Sequence, residues 1–117
     1  ATDIVAACRA LADAGATSAL VRDGERLGIF TTTDLRDALL REVPPDALPV
    51  REVARFSIVD IDADADLFEA LATMVSHRVH RLVVRDAGGA VLGLLAQLDL
   101  VSLIANHSSI VAVQIDE

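Results

Sequence analysis

The chain has 117 residues, 53% of them apolar and 24% charged, with one Cys, three Phe and neither Trp nor Tyr. That length holds one compact domain or two small fused ones without disulfides or metals, and its core has to be aliphatic. A formal charge of −8 repels a phosphate backbone over the whole surface, which excludes nucleic acid and anionic membrane and leaves only a small phosphorylated ligand in a local positive pocket.

No apolar run approaches the roughly 18 residues of a membrane span, and the first residues lack the basic, apolar, small-residue order of a secretory leader, so a cytoplasmic protein is expected. The lone Cys8 rules out an intrachain disulfide and a cysteine-rich zinc site.

Along the chain, Ile4, Ala7, Cys8, Leu11 and Ala12 recur at helical spacing and predict a first helix with Cys8 on its core face. Two apolar runs, Ala19 to Val21 and Leu27 to Phe30, flank a Gly-containing turn, the pattern of a hairpin of mostly buried strands. A second helix is expected from about Thr33 to Glu42. Pro44-Pro45 stop it and Pro49 limits where another can start, so residues 44–56 read as a linker with a short helical turn near Val50 to Ala54.

Ser57 to Ile61 then reads as an added strand. Leu67, Ala70, Leu71, Met74 and Val75 predict a third helix, and Asp66 with Glu69 gives it a start resembling a capping box. A second hairpin follows from Leu82 to Val84 and Val91 to Leu95, and a last helix from about Leu98 to Ala105.

These elements form one unit written twice. Asp3 to Cys8 aligns with Asp66 to Leu71, and Leu20 to Asp23 with Val83 to Asp86, at a shift of 63. Gly28 to Phe30 then meets Gly93 to Leu95, and Asp34-Leu35 meets Asp99-Leu100, at a shift of 65. The two extra residues fall inside the turn Asp86 to Gly89, where insertions belong. Nothing equivalent to Ser57 to Ile61 precedes Asp3, so the first copy is expected to lack its leading strand. The division is residues 1–43 for the first repeat, 44–56 for the linker, 57–106 for the second repeat and 107–117 for a C-terminal junction.

The duplicated strand, helix, hairpin, helix unit resembles the CBS domain, which occurs as tandem pairs called Bateman modules. The residues that carry the resemblance are Leu20 to Gly24 with Gly28 to Leu35, and Val79 to Asp86 with Gly93 to Leu95 and Asp99-Leu100. It implies an α+β fold of paired β-α-β-β-α repeats. The tail Ala105 to Gln114 is similar to the junction after the CBS pair in bacterial nucleotidyltransferases that carry a cyclic-nucleotide-binding-like domain. That likeness implies covalently attached flanking domains.

In this family the Gly-h-x-Thr/Ser-x-x-Asp segment, here Gly28 to Asp34, sits at the mouth of a cleft between repeats. The resemblance implies ligand contacts at Thr31, Thr33 and Asp34. A carboxylate there can accept from both ribose hydroxyls, while the hydroxyls and the helix N-terminus donate toward phosphate. The same spacing is equally that of a helix start satisfying its own amides, and both readings stand.

In the second repeat Asp99 remains but Ala96 replaces the Thr. His80-Arg81, within Val79 to Val84, resembles the adenylate-sensing γ subunit of the AMP-activated kinase, where basic residues approach phosphates. Strand alternation placing one of the two on the surface is the plainer account. Asp60, Asp62 and Asp64 do not make a calcium loop, because Ala65 and Leu71 stand where Gly and Glu are needed.

The His spacing matches no metal pattern, no phosphate loop or nucleophile elbow is present, and a non-enzymatic chain needing no cofactor is expected. Two functions compete. One is a regulatory module that binds AMP, ADP or ATP between the repeats and signals to a partner domain; the other is a scaffold that homodimerises through its CBS helices and keeps vestigial sites.

Overall fold

Asp3 ends an extended approach to the first helix, its carboxylate accepting from Ala6 N at 2.8 Å, and so caps α1 (Ile4–Ala14). The computed structural model describes residues 2–97 and 113–117. Contacts divide the chain into two units, residues 1–57 with 112–117 and residues 58–111. Among the described residues no helix is long and apolar enough to cross a membrane.

In the first unit, Gly15 adopts φ 62° and closes α1, a conformation that a residue without Cβ reaches at little cost. Strands β1 (Ser18–Asp23) and β2 (Arg26–Thr31) pair antiparallel from Ser18↔Thr31 to Asp23↔Arg26, as their apolar runs predict. Helix α2 (Thr32–Leu39) stops short of the expected Glu42. Leu39, Leu40 and Val43 are exposed, so nothing packs a further turn, and Pro44 bars Val43 from the helical region.

Residues 44–56 carry the expected helical turn at Val50 and pack on the first unit. Single turns of 3₁₀ helix at Pro45–Ala47 and Val50–Glu52 place Leu48 and Val50 in the core with Ile4, Ala7, Leu11, Val21 and Phe30. Leu48 O accepts from Ile4 N at 3.0 Å, and Val50 N donates to Thr2 O at 2.8 Å. Arg55 and Ile29 exchange backbone hydrogen bonds of 2.8 and 2.9 Å, so the segment also closes on β2. Apolar side chains at positions 48 and 50 explain the docking, because their burial draws the segment in.

As expected, among the described residues no strand precedes α1. Its place beside β1 is filled by β6 (Val113–Asp116), which pairs parallel with β1 from Ala19↔Val113 to Arg22↔Asp116. The sheet order is β2-β1-β6. Ile115 joins the first unit's core at 7% exposure, and Thr2 N donates to both carboxylate oxygens of Glu117 at 3.1 and 2.8 Å. Residues 113–116 are therefore a core strand and not a junction, since an open edge on β1 would leave its amides and carbonyls unpaired.

The second unit repeats this plan with its strands in sequence. Strand β3 (Asp60–Asp62) pairs parallel with β4 (Arg81–Arg85), which pairs antiparallel with β5 (Val91–Ala96). β3 begins at Asp60 and not at Ser57, although Val59 O still accepts from Val83 N at 2.9 Å. The two extra turn residues are absorbed where Asp86 Oδ1 accepts from Gly88 N and Ala90 N, both at 2.9 Å.

Helix α3 (Leu67–His77) is capped by Asp66, which accepts from Glu69 N at 2.8 Å. It buries Ala70 and Met74 against Leu82, Val84 and Leu95, while Leu71 and Val75, expected inside, are exposed. Both cores are nearly all aliphatic, as the composition requires. Cys8 is partly buried against the first core, and that burial pushes its thiol pKa up.

Candidate functional site

The candidate site of the first unit is built where β2 hands over to α2. Thr31 is the last residue of the strand and the N-cap of the helix, with φ −124° and ψ 170°. Its hydroxyl accepts from Asp34 N at 3.4 Å and donates to Asp34 Oδ2 at 3.2 Å. The same Oδ2 accepts from Thr31 N at 2.9 Å, completing a reciprocal capping box. Asp34 is only 3% exposed, and its other oxygen, Oδ1, accepts from Arg55 Nε at 3.0 Å.

The helix-start reading of Thr31 and Asp34 is thus what the structure shows. Thr33 lies exposed in the first turn of α2, where the helix dipole favours a negative group. Arg55 was not singled out by the sequence, because its pairing with Asp34 spans 21 positions and no local pattern marks it.

In the second unit, His80 is exposed just before β4, with Nδ1 2.9 Å from Gln97 Oε1 and its carbonyl accepting from Gln97 N at 2.9 Å. Arg81 opens β4 opposite Ala96 and is partly buried. Among the described residues its buried Nε has no hydrogen-bond partner. Asp99 lies outside the described residues, as do the helix expected from Leu98 to Ala105 and most of the tail that follows it.

A hollow of about 190 Å³ opens beside His80, lined by Leu71, Val75, Arg78, Val79 and Gln97 among others. Arg78 is a second residue that sequence reasoning passed over. It ends α3 with φ 54°, the only positive-φ residue other than glycine among those described, and the repeat places it opposite Gly15.

At the two equivalent helix ends, an Arg stands in the second copy where the first uses Gly. A Cβ in the left-handed region costs roughly 1 kcal/mol. Arg78→Gly is therefore expected to stabilise the second unit by about 1 kcal/mol in urea unfolding, and an unchanged or lower midpoint would contradict that account.

A more polar hollow of about 260 Å³ is lined by Asp60, Asp62, Glu69, Thr73 and Arg85. Arg85 Nε lies 3.1 Å from Asp60 Oδ1, so the acidic run serves in part as a partner for a strand arginine. Among the described residues no group of His, Cys, Asp and Glu is arranged to hold a metal ion.

A family model for the CBS domain matches residues 50–106. The solved structure of a protein with CBS domains from Burkholderia ambifaria MC40-6 is 31% identical, with a TM-score of 0.77, and the match covers 92% of this chain and 80% of that one. A CBS domain protein from Pyrobaculum aerophilum complexed with AMP shares the fold at 20% identity and a TM-score of 0.70, over 83% of this chain and 76% of that one. An uncharacterized protein of Methanocaldococcus jannaschii is 26% identical over 80 residues, 68% of this chain and 42% of the relative. The match thus spans less than half of that relative's length.

Proposed function

This chain belongs to the CBS-domain family as a tandem pair of its repeats, and we propose that it binds an adenine nucleotide, AMP, ADP or ATP, and passes its bound state to a partner domain. CBS-domain proteins are regulatory modules, and the AMP complex of the Pyrobaculum aerophilum protein supports this class of ligand. The reading is non-catalytic and calls for no cofactor.

The observation that carries it is Arg81, whose buried Nε has no partner among the described residues, next to His80. An unsatisfied buried donor costs roughly 1–3 kcal/mol, and a phosphate oxygen is the acceptor that a guanidinium fits best. In the first unit Thr33 and the N-terminus of α2 suit phosphate, and the Asp34 carboxylate suits a ribose diol. Asp99 would serve the second unit in the same way.

Calorimetric titration of the chain with AMP, ADP and ATP tests the reading. At least one nucleotide should bind, and Arg81→Ala should weaken it about tenfold, the equivalent of one charge-assisted hydrogen bond. No heat with any of the three would overturn it.

One observation favours a dimerisation scaffold instead. Phe68, 84% exposed, lies with the exposed Leu71 and Val75 at i, i+3 and i+7 on α3, an apolar stripe suited to a second copy of the chain. A dimeric native mass that Phe68→Glu converts to monomer, together with no nucleotide heat, would favour this reading over the first.

A further inference from the structure

We propose that Arg55 is a removable cover on the Asp34 carboxylate, so that a nucleotide engages Asp34 only by displacing the Arg55 guanidinium. The inference rests on the nucleotide-binding reading and assigns a regulation to that same site. A carboxylate oxygen accepts about two hydrogen bonds, so a ligand hydroxyl needs an oxygen that is not already filled. In Asp34, Oδ2 is occupied from within the capping box by Thr31 N at 2.9 Å and Thr31 Oγ1 at 3.2 Å. Oδ1 is free of the cap, and among the described residues its partner is Arg55 Nε at 3.0 Å.

The two partners differ sharply in exposure. Asp34 is 3% exposed and the Arg55 side chain 68%. The carboxylate is therefore fixed and desolvated, and a buried charge of this kind needs a compensating donor. The guanidinium stands mostly in water, where it regains solvation as it leaves. Its departure costs little on its own side, and the diol hydroxyls replace the donor that Oδ1 loses.

The backbone aims this cover. Arg55 is pinned to β2 by its paired hydrogen bonds with Ile29, and Arg26 stacks over the Phe56 ring at 4.1 Å, which steadies the neighbouring residue. Arg55 also lies three residues before the second unit begins at Ile58. Displacing its side chain releases one anchor of the last stretch of the first unit, which gives the bound state a covalent route along the chain.

Titration of the wild-type chain, Arg55→Ala and Asp34→Asn with AMP, ADP and ATP tests the proposal. Arg55→Ala should bind about fivefold more tightly than wild type, the value of a competing ion pair of this exposure, and Asp34→Asn more weakly. Arg55→Gln, which keeps a neutral donor near Oδ1, should shift affinity in the same direction by less, and it serves if the Ala variant does not fold. Equal or weaker binding by both Arg55 variants overturns the cover while leaving nucleotide binding in place, because Arg55 is then a bystander or a phosphate contact. No binding by any variant overturns both.

Discussion

Ile115→Asp is expected to destabilise the first unit by at least about 3 kcal/mol and to strip protection from the β1 amides in hydrogen exchange. Ile115 is 7% exposed and packs with the cluster of Ile4, Val21 and Phe30. The substitution removes a buried aliphatic side chain and puts a carboxylate in its place. The surrounding cluster is apolar, so the strand relieves that charge by leaving the sheet.

Because β6 pairs with β1 over Ala19↔Val113 to Arg22↔Asp116, its departure also uncovers the edge of β1 and breaks the Glu117 contacts with Thr2 N and Arg22 O. Ile115→Val, which keeps the shape and polarity, should cost only about 1 kcal/mol. If the Asp variant unfolded at the wild-type urea concentration, β6 would not be part of the first unit's core.

Gly28→Leu is expected to cost a similar amount, about 3 kcal/mol, by overpacking. A Cβ at position 28 would stand 2.7 Å from Arg55 O and 2.8 Å from the Phe56 ring. A backbone oxygen cannot swing aside as a side-chain tip can, so residues 55 and 56 have to lift off β2. The amides of Ile29 and Arg55, which now bond across that contact at 2.8 and 2.9 Å, should exchange faster in the variant by hydrogen-exchange mass spectrometry. Unchanged protection there would mean that the segment is held by other contacts. Gly28 also opens the sequence pattern that ends at Asp34, so the glycine of that pattern has a packing role here independent of any ligand.

The helices and hairpins were readable in the sequence because each is specified by a local period. The i, i+3, i+4 spacing fixed α1 and α3, and the apolar runs fixed both hairpins. Which face of α3 would be covered was not readable: Leu71 and Val75 have the same spacing as Ala70 and Met74, and only the packing separates them.

The strand β6 escaped notice for a different reason. Val113-Gln114-Ile115-Asp116 alternates apolar and polar residues, but four residues are too few to stand out, and the partner lies at the opposite end of the chain. The site was half legible. Thr31 and Asp34 share a recognisable spacing, whereas Arg55 reaches Asp34 through the path of the intervening backbone, and Arg78 becomes visible only when the two copies are laid side by side.

The position of β6 has a consequence for synthesis. A ribosome releases β1 and β2 before the second unit, but the strand β6 of their sheet emerges only after β3, α3, β4 and β5. The strands β3, β4 and β5 are close neighbours in sequence and can pair as soon as they are clear of the exit tunnel. Of the two units, the one whose hairpin is translated first is thus the one finished last, because its β1–β6 pairing waits for Val113 to Asp116.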